Sequence, residues 1–413
     1  MFRARRTAAV LAVLAATAAT LAAFSSGPAG AAGSCSGFAN RTGVTSTAIT
    51  IANVSDLSGP VPGLGKPALD GVKAFARYFN STSSICGRKL KVLSLDSKTD
   101  SASDAAAYGT ACSKALAAVG SWSAFDDGGA ATAQGCGLPD LRSVSNTSAR
   151  NACTTCFGVQ GRQSRAFPNA IPDYFLTNHH TASQAAAILY LNAGSYAENA
   201  KYVEQAEEAR GMKFLYSAGI DVAEFNYSSY VQTMRNLGVQ VVQFLAPYQQ
   251  AVRMAQAMHD GAFAPLYQPD TGAYNKSFIT SGGAVVNGAY VAINITPFAE
   301  QASNTELRRY LIWLQKVDPG AAPSIDGLFA WSAARLFTEQ AQALGGHLSR
   351  VNLVNAIRGV RQWNDLGAHA TQNVGGKQVG SCWRFLRLSA GKWVPVGGTS
   401  YTCNGKTVVP PTP

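Results

Sequence analysis

The sequence predicts an α/β protein in which two lobes each carry a parallel β-sheet. Short apolar segments alternate with amphipathic ones from residue 48 to about residue 160, and after a weaker stretch the same alternation resumes near residue 185. Alternation at this spacing is typical of parallel sheets with helices on both faces. The chain has 413 residues, 47% of them hydrophobic, which is enough for two such cores.

The first series of predicted elements begins with the apolar segment "AITIAN", which we expect to form a strand. A second strand is predicted over "KLKVLSLDS". A helix is predicted over "DAAAYGTACSKALAAV", because Tyr108, Cys112 and Leu116 recur four residues apart. A further helix over "GGAATAQGC" and a short strand near "DLRSVS" complete the series, which predicts the first parallel sheet.

The second series repeats this arrangement with the strands "AAAILYLNA", "MKFLYSAGI" and "VQVVQFLA" and the helix "YAENAKYVEQAEEAR". Past Pro297 the predicted helices lengthen, and Ser303 and Glu306 have the spacing of a capping box at the start of one of them. Because few strands separate these later helices, we expect them to cover the first lobe. The strand-like tail from Cys382 is expected to return to the second lobe.

The N-terminus has the parts of a secretory signal peptide. Basic residues are followed by the apolar stretch "AAVLAVLAATAATLAAF" and by a small-residue cleavage site that ends at Ala31. We therefore expect residues 1–31 to be removed and the protein to be exported to a periplasm or cell envelope, with an uncleaved anchor as the alternative. Cleavage removes three arginines and lowers the formal charge from +11 to +8. The remaining basic residues form no cluster, so nucleic acid is not an expected partner.

Eight cysteines in an exported chain predict disulfide bonds, although sequence alone allows many pairings. The pairs we expect are Cys35–Cys86, Cys112–Cys136, Cys153–Cys156 and Cys382–Cys403. The C-x-x-C spacing of Cys153 and Cys156 leaves a redox site open as an alternative. No second C-x-x-C and no nearby histidine pair completes a zinc site, so neither a metal nor a cofactor is predicted.

A loop rich in turn residues, "SDLSGPVPGLG", joins the first predicted strand to a helix. Together with "CGRKLKVLSLDSKTD", "LYLNAGSYAENA" and "GLFAWSAARLFTEQAQALGG", in this order, it resembles the type I periplasmic binding proteins. The resemblance is specifically to the leucine/isoleucine/valine-binding-protein-like substrate-binding subunits of ABC transporters. It extends from about Ile49 to Trp393, nearly the whole mature chain.

The resemblance implies two Rossmann-like lobes joined by a hinge of three crossings. Lobe 1 would comprise residues 47–160 and 297–360, lobe 2 would comprise residues 161–296 and 361–406, and residues 407–413 would be a flexible tail. Such lobes close over a small solute and present it to a membrane permease, without catalysis. A monomer with no enzymatic activity and no cofactor is therefore expected.

In lobe 1 the resemblance places Ser58 and Leu64 at the mouth of the cleft. The segment "SAFDDGG" stands where relatives have a serine-rich turn that binds an α-carboxylate. Its Asp126 and Asp127 would repel a carboxylate ligand if either side chain faced the cleft. N-capping of the following helix is the alternative role for these aspartates.

The remaining candidate ligand residues are polar or aromatic: Phe125, Asn146, Thr147, Tyr196, Tyr248, Asp270 and Tyr274. By resemblance, Thr147 contacts the ligand, Tyr196 closes over it and Asp270 pairs with its ammonium group. Each aromatic residue could equally belong to a core. Taken together, aromatic and acidic groups suit a cationic or amphipathic solute.

These observations predict an exported solute-binding protein of an ABC importer, which binds a small amino acid-like, polar or amphipathic solute. Two alternatives stay open: a ligand-sensing ectodomain with the same fold, and a secreted redox or hydrolytic enzyme built around Cys153 and Cys156. A lipid anchor at Cys35 is a further alternative, which disulfide pairing of Cys35 would exclude.

Overall fold

The computed structural model describes residues 33–61, 63–161 and 165–410. The predicted signal peptide at residues 1–31 lies outside the described residues. Within them, no helix combines the length and the apolar character that crossing a bilayer requires.

Five parallel strands form the first sheet, in the order β2-β1-β3-β4-β5. They are β1 (Ala48–Ser55), β2 (Lys89–Asp96), β3 (Ala117–Val119), β4 (Asp140–Val144) and β5 (Cys156–Gln160). Strand β1 lies between two neighbours, and its β-branched Ile49, Ile51 and Val54 are completely buried, as expected for an interior strand. The sheet confirms the parallel arrangement that the alternating pattern predicted.

The helices of this region are α1 (Lys66–Thr82), α2 (Ser101–Lys114), α3 (Ala130–Gly135) and α4 (Ser148–Ala152). Helix α2 ends earlier than predicted, because Ala117–Val119 is not helical but joins the sheet as β3 between β1 and β4. The alanine-rich segment suits a helix by propensity, but complete burial between two strands overrides that preference.

A second parallel sheet has the order β10-β9-β7-β8. The strands from this part of the chain are β6 (Ala166–Pro168), β7 (Ala186–Leu191), β8 (Phe214–Ile220), β9 (Val241–Leu245), β10 (Leu266–Pro269) and β11 (Tyr290–Ile293). The helices are α5 (Ala170–Asn178), α6 (His180–Ser183), α7 (Gly194–Glu208), α8 (Ser228–Asn236), α9 (Tyr248–Asp260) and α10 (Lys276–Gly282). Strand β11 is not part of this sheet but packs beside β10. We call the first sheet with its helices lobe 1, and the second sheet with its helices and β11 lobe 2.

After β11 the chain returns to lobe 1 with α11 (Thr305–Val317), α12 (Ile325–Leu344) and α13 (Arg350–Arg358). Helices α11 and α12 both pack on α1, which confirms that the later helices cover the first lobe. The predicted capping box is wrong, because Asn304 and not Ser303 caps α11, with its side chain accepting from the Leu307 N–H. Glu306 is buried instead, where its carboxylate accepts a hydrogen bond from Trp331 Nε1.

The chain ends with β12 (Cys382–Ser389), β13 (Lys392–Val396), β14 (Thr402–Cys403) and β15 (Lys406–Val408). Strand β12 pairs antiparallel with β11, so the tail returns to lobe 2 and the chain passes between the lobes three times. The expected flexible tail of residues 407–413 needs correction at its start, because β15 pairs with β6. Residues 411–413 lie outside the described residues, and the predicted boundaries between the lobes stay a prediction.

The four predicted disulfide bonds are all present: Cys35–Cys86, Cys112–Cys136, Cys153–Cys156 and Cys382–Cys403. No cysteine of the described chain is free. Since the sulfur of Cys35 is bonded to Cys86, the lipid anchor considered at Cys35 is not supported.

Candidate ligand-binding cleft

A cavity of about 330 Å³ lies between the two lobes, and we call it the interlobe cavity. Lobe 1 contributes the loop between β1 and α1, Trp122 and the segment before α12. Lobe 2 contributes the first residues of α7 and α9 and the loop after β10. These are the ends of strands and the starts of helices, where α/β proteins bind ligands.

Five of the predicted ligand residues line the interlobe cavity: Leu64, Asn146, Tyr196, Tyr248 and Asp270. The structure thus brings together candidates from both lobes. The other six do not line it: Ser58, Phe125, Asp126, Asp127, Thr147 and Tyr274. The role of the first five in ligand binding remains a proposal.

Ser58 is exposed and turned toward lobe 1 itself. Its hydroxyl donates to Asp96 Oδ2 at 2.6 Å, and its N–H donates to Asp96 Oδ1 at 3.2 Å. The same Oδ1 accepts from the Leu57 N–H at 3.0 Å. Ser58 therefore anchors the loop that presents Leu64 to the interlobe cavity.

Asp126 has neither of the roles that the sequence suggested. It does not cap α3, whose N-cap is Gly129, and it does not face the cavity. It is completely buried and accepts from the Asn146 N–H at 2.8 Å, the Thr147 N–H at 3.1 Å and the Thr147 hydroxyl at 2.6 Å. The aspartate therefore holds the turn at Asn146, and its charge does not oppose a carboxylate in the cavity.

Asp127 is also not a cap of α3. It is exposed and accepts a hydrogen bond from the Ser101 hydroxyl. The Gly129 N–H at the start of α3 donates instead to Asp104 Oδ2 at 2.8 Å. The aspartates next to α3 in the sequence do not accept this hydrogen bond. The acceptor is Asp104, which lies on α2.

A buried charge cluster supports this region of lobe 1. Arg150 pairs with Asp104 and with Asp140, both at 2.9 Å, and Arg142 lies 3.5 Å from Asp126. All five side chains are completely buried. Burial raises the pKa of Asp104 to about 7, although the two guanidinium groups oppose that shift. Removing one member would leave buried charge without a partner, which is costly.

Asp56 is a structural residue whose role was not predicted from the sequence. Its carboxylate is completely buried and accepts from Ser97 Oγ at 2.6 Å, Ser123 Oγ at 3.0 Å and the Ala124 N–H at 2.8 Å. These bonds connect the end of β1 to the loops after β2 and β3. The sequence feature that could have indicated this role is an acidic residue directly after a buried strand.

Tyr274 packs in a core and not in the cleft. Its ring stacks on Phe298 with centroids 5.2 Å apart, and its hydroxyl accepts from the Phe298 N–H at 3.0 Å. Because Phe298 follows the second crossing between the lobes, Tyr274 braces that crossing. Burial raises the pKa of Tyr274 to about 12.

Carboxylates dominate the charge of the interlobe cavity. Among the described residues that line it, Asp70, Asp270, Asp318 and Asp326 are acidic and Lys66 is the one base. Lys66 Nζ donates to Asp70 Oδ2 at 2.6 Å and also to Asp318, so its charge is already balanced within the wall. An excess of carboxylates in a cleft favours a positively charged group on the solute.

The lobes contact each other beside the cavity through hydrogen bonds. The Ser195 N–H donates to Ala124 O at 2.9 Å, the Ser148 N–H donates to Glu198 Oε1 at 2.8 Å, and Asn199 Nδ2 donates to Asn146 O at 3.2 Å. We call these three bonds the interlobe contacts. Their partners lie far apart in the sequence, so the sequence pattern gave no signal for them.

Gly194 allows the lobes to approach at this point. It has a φ of +51°, and a Cβ at this position would lie 2.6 Å from Ala124 O. The positive φ is costly for any residue other than glycine. A Cβ so close to Ala124 O would overlap with the backbone of the other lobe. Glycine here therefore permits the Ser195–Ala124 bond.

Further polar residues of the cavity wall were not predicted: Gln160, Ser195, Gln249, Thr271, Asn275 and Ser277. Gln160 ends β5 and Ser195 lies in the first turn of α7. Polar side chains that end a strand or begin a helix were the available signal.

A serine–histidine pair elsewhere in the chain does not form a catalytic site. Ser332 Oγ and His369 Nε2 are 2.8 Å apart, but both residues are buried and neither lines the interlobe cavity. His369 Nδ1 donates to Ala370 O, so Nε2 accepts from the serine hydroxyl. Burial lowers the pKa of His369 to about 4. The backbone of His369 forms a β-bridge with Ile295 beside the second crossing between the lobes.

The comparisons with known proteins agree with this architecture. The family model described as "Periplasmic binding protein" matches residues 48–392. No significant match was found among curated protein sequences.

Solved structures of similar fold include a fatty acid ABC transporter substrate-binding protein from Thermomonospora curvata. It is 16% identical, with a TM-score of 0.75, and the match covers 89% of this chain and 95% of that one. A possible leucine/isoleucine/valine-binding protein from Rhodopirellula baltica is 15% identical, with a TM-score of 0.74 and coverage of 87% and 98%. A leucine-binding protein from Thermotoga maritima is 14% identical, with a TM-score of 0.72 and coverage of 84% and 97%. The chain thus belongs to the periplasmic binding protein family and has the fold of its type I members.

Proposed function

We propose that the protein is an extracytoplasmic solute-binding protein that closes its two lobes over a small solute and presents it to the permease of an ABC importer. The observation that carries the proposal is the interlobe cavity, whose wall combines Leu64 and Asn146 of lobe 1 with Tyr196, Tyr248 and Asp270 of lobe 2. Its volume of about 330 Å³ suits a molecule of amino acid size.

The chemistry of the wall favours an amino acid-like or amphipathic solute with a positively charged group. Asp270 lies in the wall with one oxygen, Oδ1, engaged by the Gly272 N–H at 3.0 Å, which orients the carboxylate. Tyr196 and Tyr248 supply aromatic surface beside it. The names of two similar structures refer to leucine and to fatty acid, and this supports a solute with an apolar portion.

The enzymatic alternative receives no support from the site. Cys153 and Cys156 are bonded to each other and are 4% and 1% exposed, so they present no reactive thiol at the surface. A ligand-sensing ectodomain shares the cleft and differs only in its partner. Extracytoplasmic location is general in the family, which agrees with the predicted export.

A thermal-shift screen of amino acids, polyamines, amides and sugars against the purified protein tests the proposal. A solute at about a hundredfold its dissociation constant adds about 2.7 kcal/mol to the free energy of unfolding, which raises the melting temperature measurably. We expect Asp270→Ala and Tyr196→Ala each to abolish the shift given by the best compound, while the melting temperature without ligand changes little.

Asp127→Ala is the matched control, because Asp127 is an aspartate of lobe 1 that the structure places outside the cavity. It should keep the full shift. A compound that stabilises the parent and both cavity variants equally would contradict the proposed site, and a screen in which no compound stabilises the parent would contradict the proposed solute class.

A further inference from the structure

A second, narrower cavity of about 100 Å³ lies next to the interlobe cavity and is lined mainly by residues of lobe 2. The two cavities share Gln160, Tyr196, Asp270 and Thr271 as lining residues, so they adjoin at these four positions. We call the second one the side cavity. A space of this volume holds several non-hydrogen atoms, since about 10 to 15 Å³ suffices for one water molecule.

One face of α7 lines the side cavity along its length. Asn199, Val203 and Glu207 recur at intervals of four residues on this helix, and all three line the cavity. With a rise of 1.5 Å per residue, the first and the last are about 12 Å apart. Between them Val203 is apolar, and Phe167 and Leu245 add apolar surface from the facing strands. The occupant is therefore expected to be a narrow, unbranched chain.

The end of the side cavity at Glu207 presents hydrogen-bond acceptors. Glu207 and Gln243 are each 3% exposed. Gln243 Nε2 donates to Glu207 Oε2 at 2.7 Å and to Gln268 Oε1 at 3.1 Å, whereas Gln243 Oε1 has no hydrogen-bond partner. A buried acceptor that stays unpaired costs free energy, so this oxygen favours a donor on the occupant.

At this end of the side cavity, no cation among the described lining residues balances Glu207. Among the described residues that line the side cavity, none is lysine, arginine or histidine. Burial accordingly raises the pKa of Glu207 to about 8, because nothing but the Gln243 amide stabilises its charged form. A cation on the occupant would supply what the protein lacks.

The end next to the interlobe cavity also offers an acceptor. Asn199 Nδ2 donates to Asn146 O at 3.2 Å and to Ser195 O at 2.8 Å, which fixes the direction of the amide, and its Oδ1 has no partner. Asp270, shared by both cavities, lies at this end. The side cavity therefore has hydrogen-bond acceptors at both ends and apolar side chains between them. An occupant with a hydrogen-bond donor at each end is favoured.

We propose that the side cavity is a subsite for an aliphatic ammonium group, with an unbranched carbon chain beside Val203 and the ammonium donating to Glu207 and Gln243 Oε1. This inference rests on the proposed function, because the rest of the solute occupies the interlobe cavity. A primary ammonium has three donors and one positive charge, which matches a carboxylate and an unpaired amide oxygen. A cation on the occupant keeps Glu207 ionised, and the ionised side chain repels a carboxylate end. A plain alkyl end would leave Gln243 Oε1 unpaired.

Two pairs of probes test the subsite by titration calorimetry. L-lysine and L-norleucine differ by the terminal ammonium, and 1,5-diaminopentane and pentylamine differ in the same way. We expect the probe with the additional ammonium to bind the parent at least about tenfold more tightly than its analogue. Glu207→Gln, which keeps the shape of the side chain, should reduce this ratio to about one while the affinity of the analogue stays the same.

Val203→Phe is a second variant, which fills the middle of the side cavity and leaves Glu207 in place. It should also remove the preference, and the melting temperature of each variant shows that it is folded. Equal affinity of L-lysine and L-norleucine for the parent, or a preference that survives in Glu207→Gln, overturns the subsite.

The same data separate this inference from the proposed function. If all four probes fail while the screen yields another compound whose effect depends on Asp270, the subsite is wrong and the solute-binding function stands. If Asp270→Ala leaves the affinity of every probe unchanged, the proposed cleft is wrong as well.

Discussion

Asp56 and Asp126 are both completely buried, and each accepts hydrogen bonds from the backbone of a loop beside the interlobe cavity. Both residues position the wall of the cavity without lining it. Asp56 stands at the end of a predicted strand, so a role at that edge could be inferred from sequence. The partners of Asp126 lie twenty residues away, and a local pattern cannot identify such a contact. Its sequence neighbourhood suggested a helix cap instead.

Glu207 gives a prediction about stability and pH. Its pKa is about 8 in the folded protein against an ordinary 4.5, so between these values the folded state retains a proton that the unfolded state has lost. The contribution of Glu207 to stability is therefore present at low pH and is lost as the pH rises toward 8. The melting temperature of Glu207→Gln relative to the parent should rise steadily from pH 5 to pH 8.

Glu208→Gln is the control for this experiment, since Glu208 is the next residue on α7 and is exposed. The difference between this variant and the parent should not grow with pH. Among the described residues, the other titratable groups that line the side cavity are Tyr196 and Asp270, and the strands facing Glu207 contribute the amides Gln243 and Gln268. A difference between Glu207→Gln and the parent that is constant across this range contradicts a buried, protonated Glu207.

At the scale of elements, α7 serves both cavities and the contact between the lobes. Its first turn holds Ser195 and Tyr196 at the interlobe cavity, and Glu198 and Asn199 bond to lobe 1. Glu207, in its last turn, lines the side cavity. Movement of this helix relative to lobe 1 would therefore change the cleft and the interlobe contacts together.

Gly194→Ala should weaken solute binding. A Cβ at this position meets Ala124 O at 2.6 Å and the φ of +51° is unfavourable for alanine, so closure becomes costly. We expect the dissociation constant of the best compound from the screen to rise by about tenfold or more. Gly135→Ala is the matched control, because a Cβ there meets nothing within 4 Å. Equal affinity in both variants would show that Gly194 does not limit closure.

The sequence predicted the elements well where the period of apolar residues was clear. Strands β1, β2, β7, β8 and β9 all occur where they were expected, and the tail from Cys382 is made of strands as predicted. The pattern was insufficient at β3, because an alanine-rich strand between two neighbours resembles the buried part of a helix. It was also insufficient at the start of α11, where Ser303 and Asn304 are both good caps and the path of the preceding loop decides between them.

At the scale of the molecule, the covalent links leave the lobes free to move relative to each other. Three of the disulfide bonds lie within lobe 1: Cys35–Cys86, Cys112–Cys136 and Cys153–Cys156. The fourth, Cys382–Cys403, lies within the tail that joins lobe 2. The connections between the lobes are the three chain crossings and the non-covalent contacts. This arrangement is what hinge closure over a solute requires.

Hydrogen–deuterium exchange at the interlobe contacts tests the closure of the lobes most directly. The Ser195 N–H donates to Ala124 O and the Ser148 N–H donates to Glu198 Oε1, so both amides are protected only while the lobes touch. Saturation with the best compound from the screen should slow exchange in the peptides that contain these two amides and leave peptides from β1 unchanged. A compound that binds in the cleft without slowing exchange at either amide would contradict closure of the two lobes over the solute.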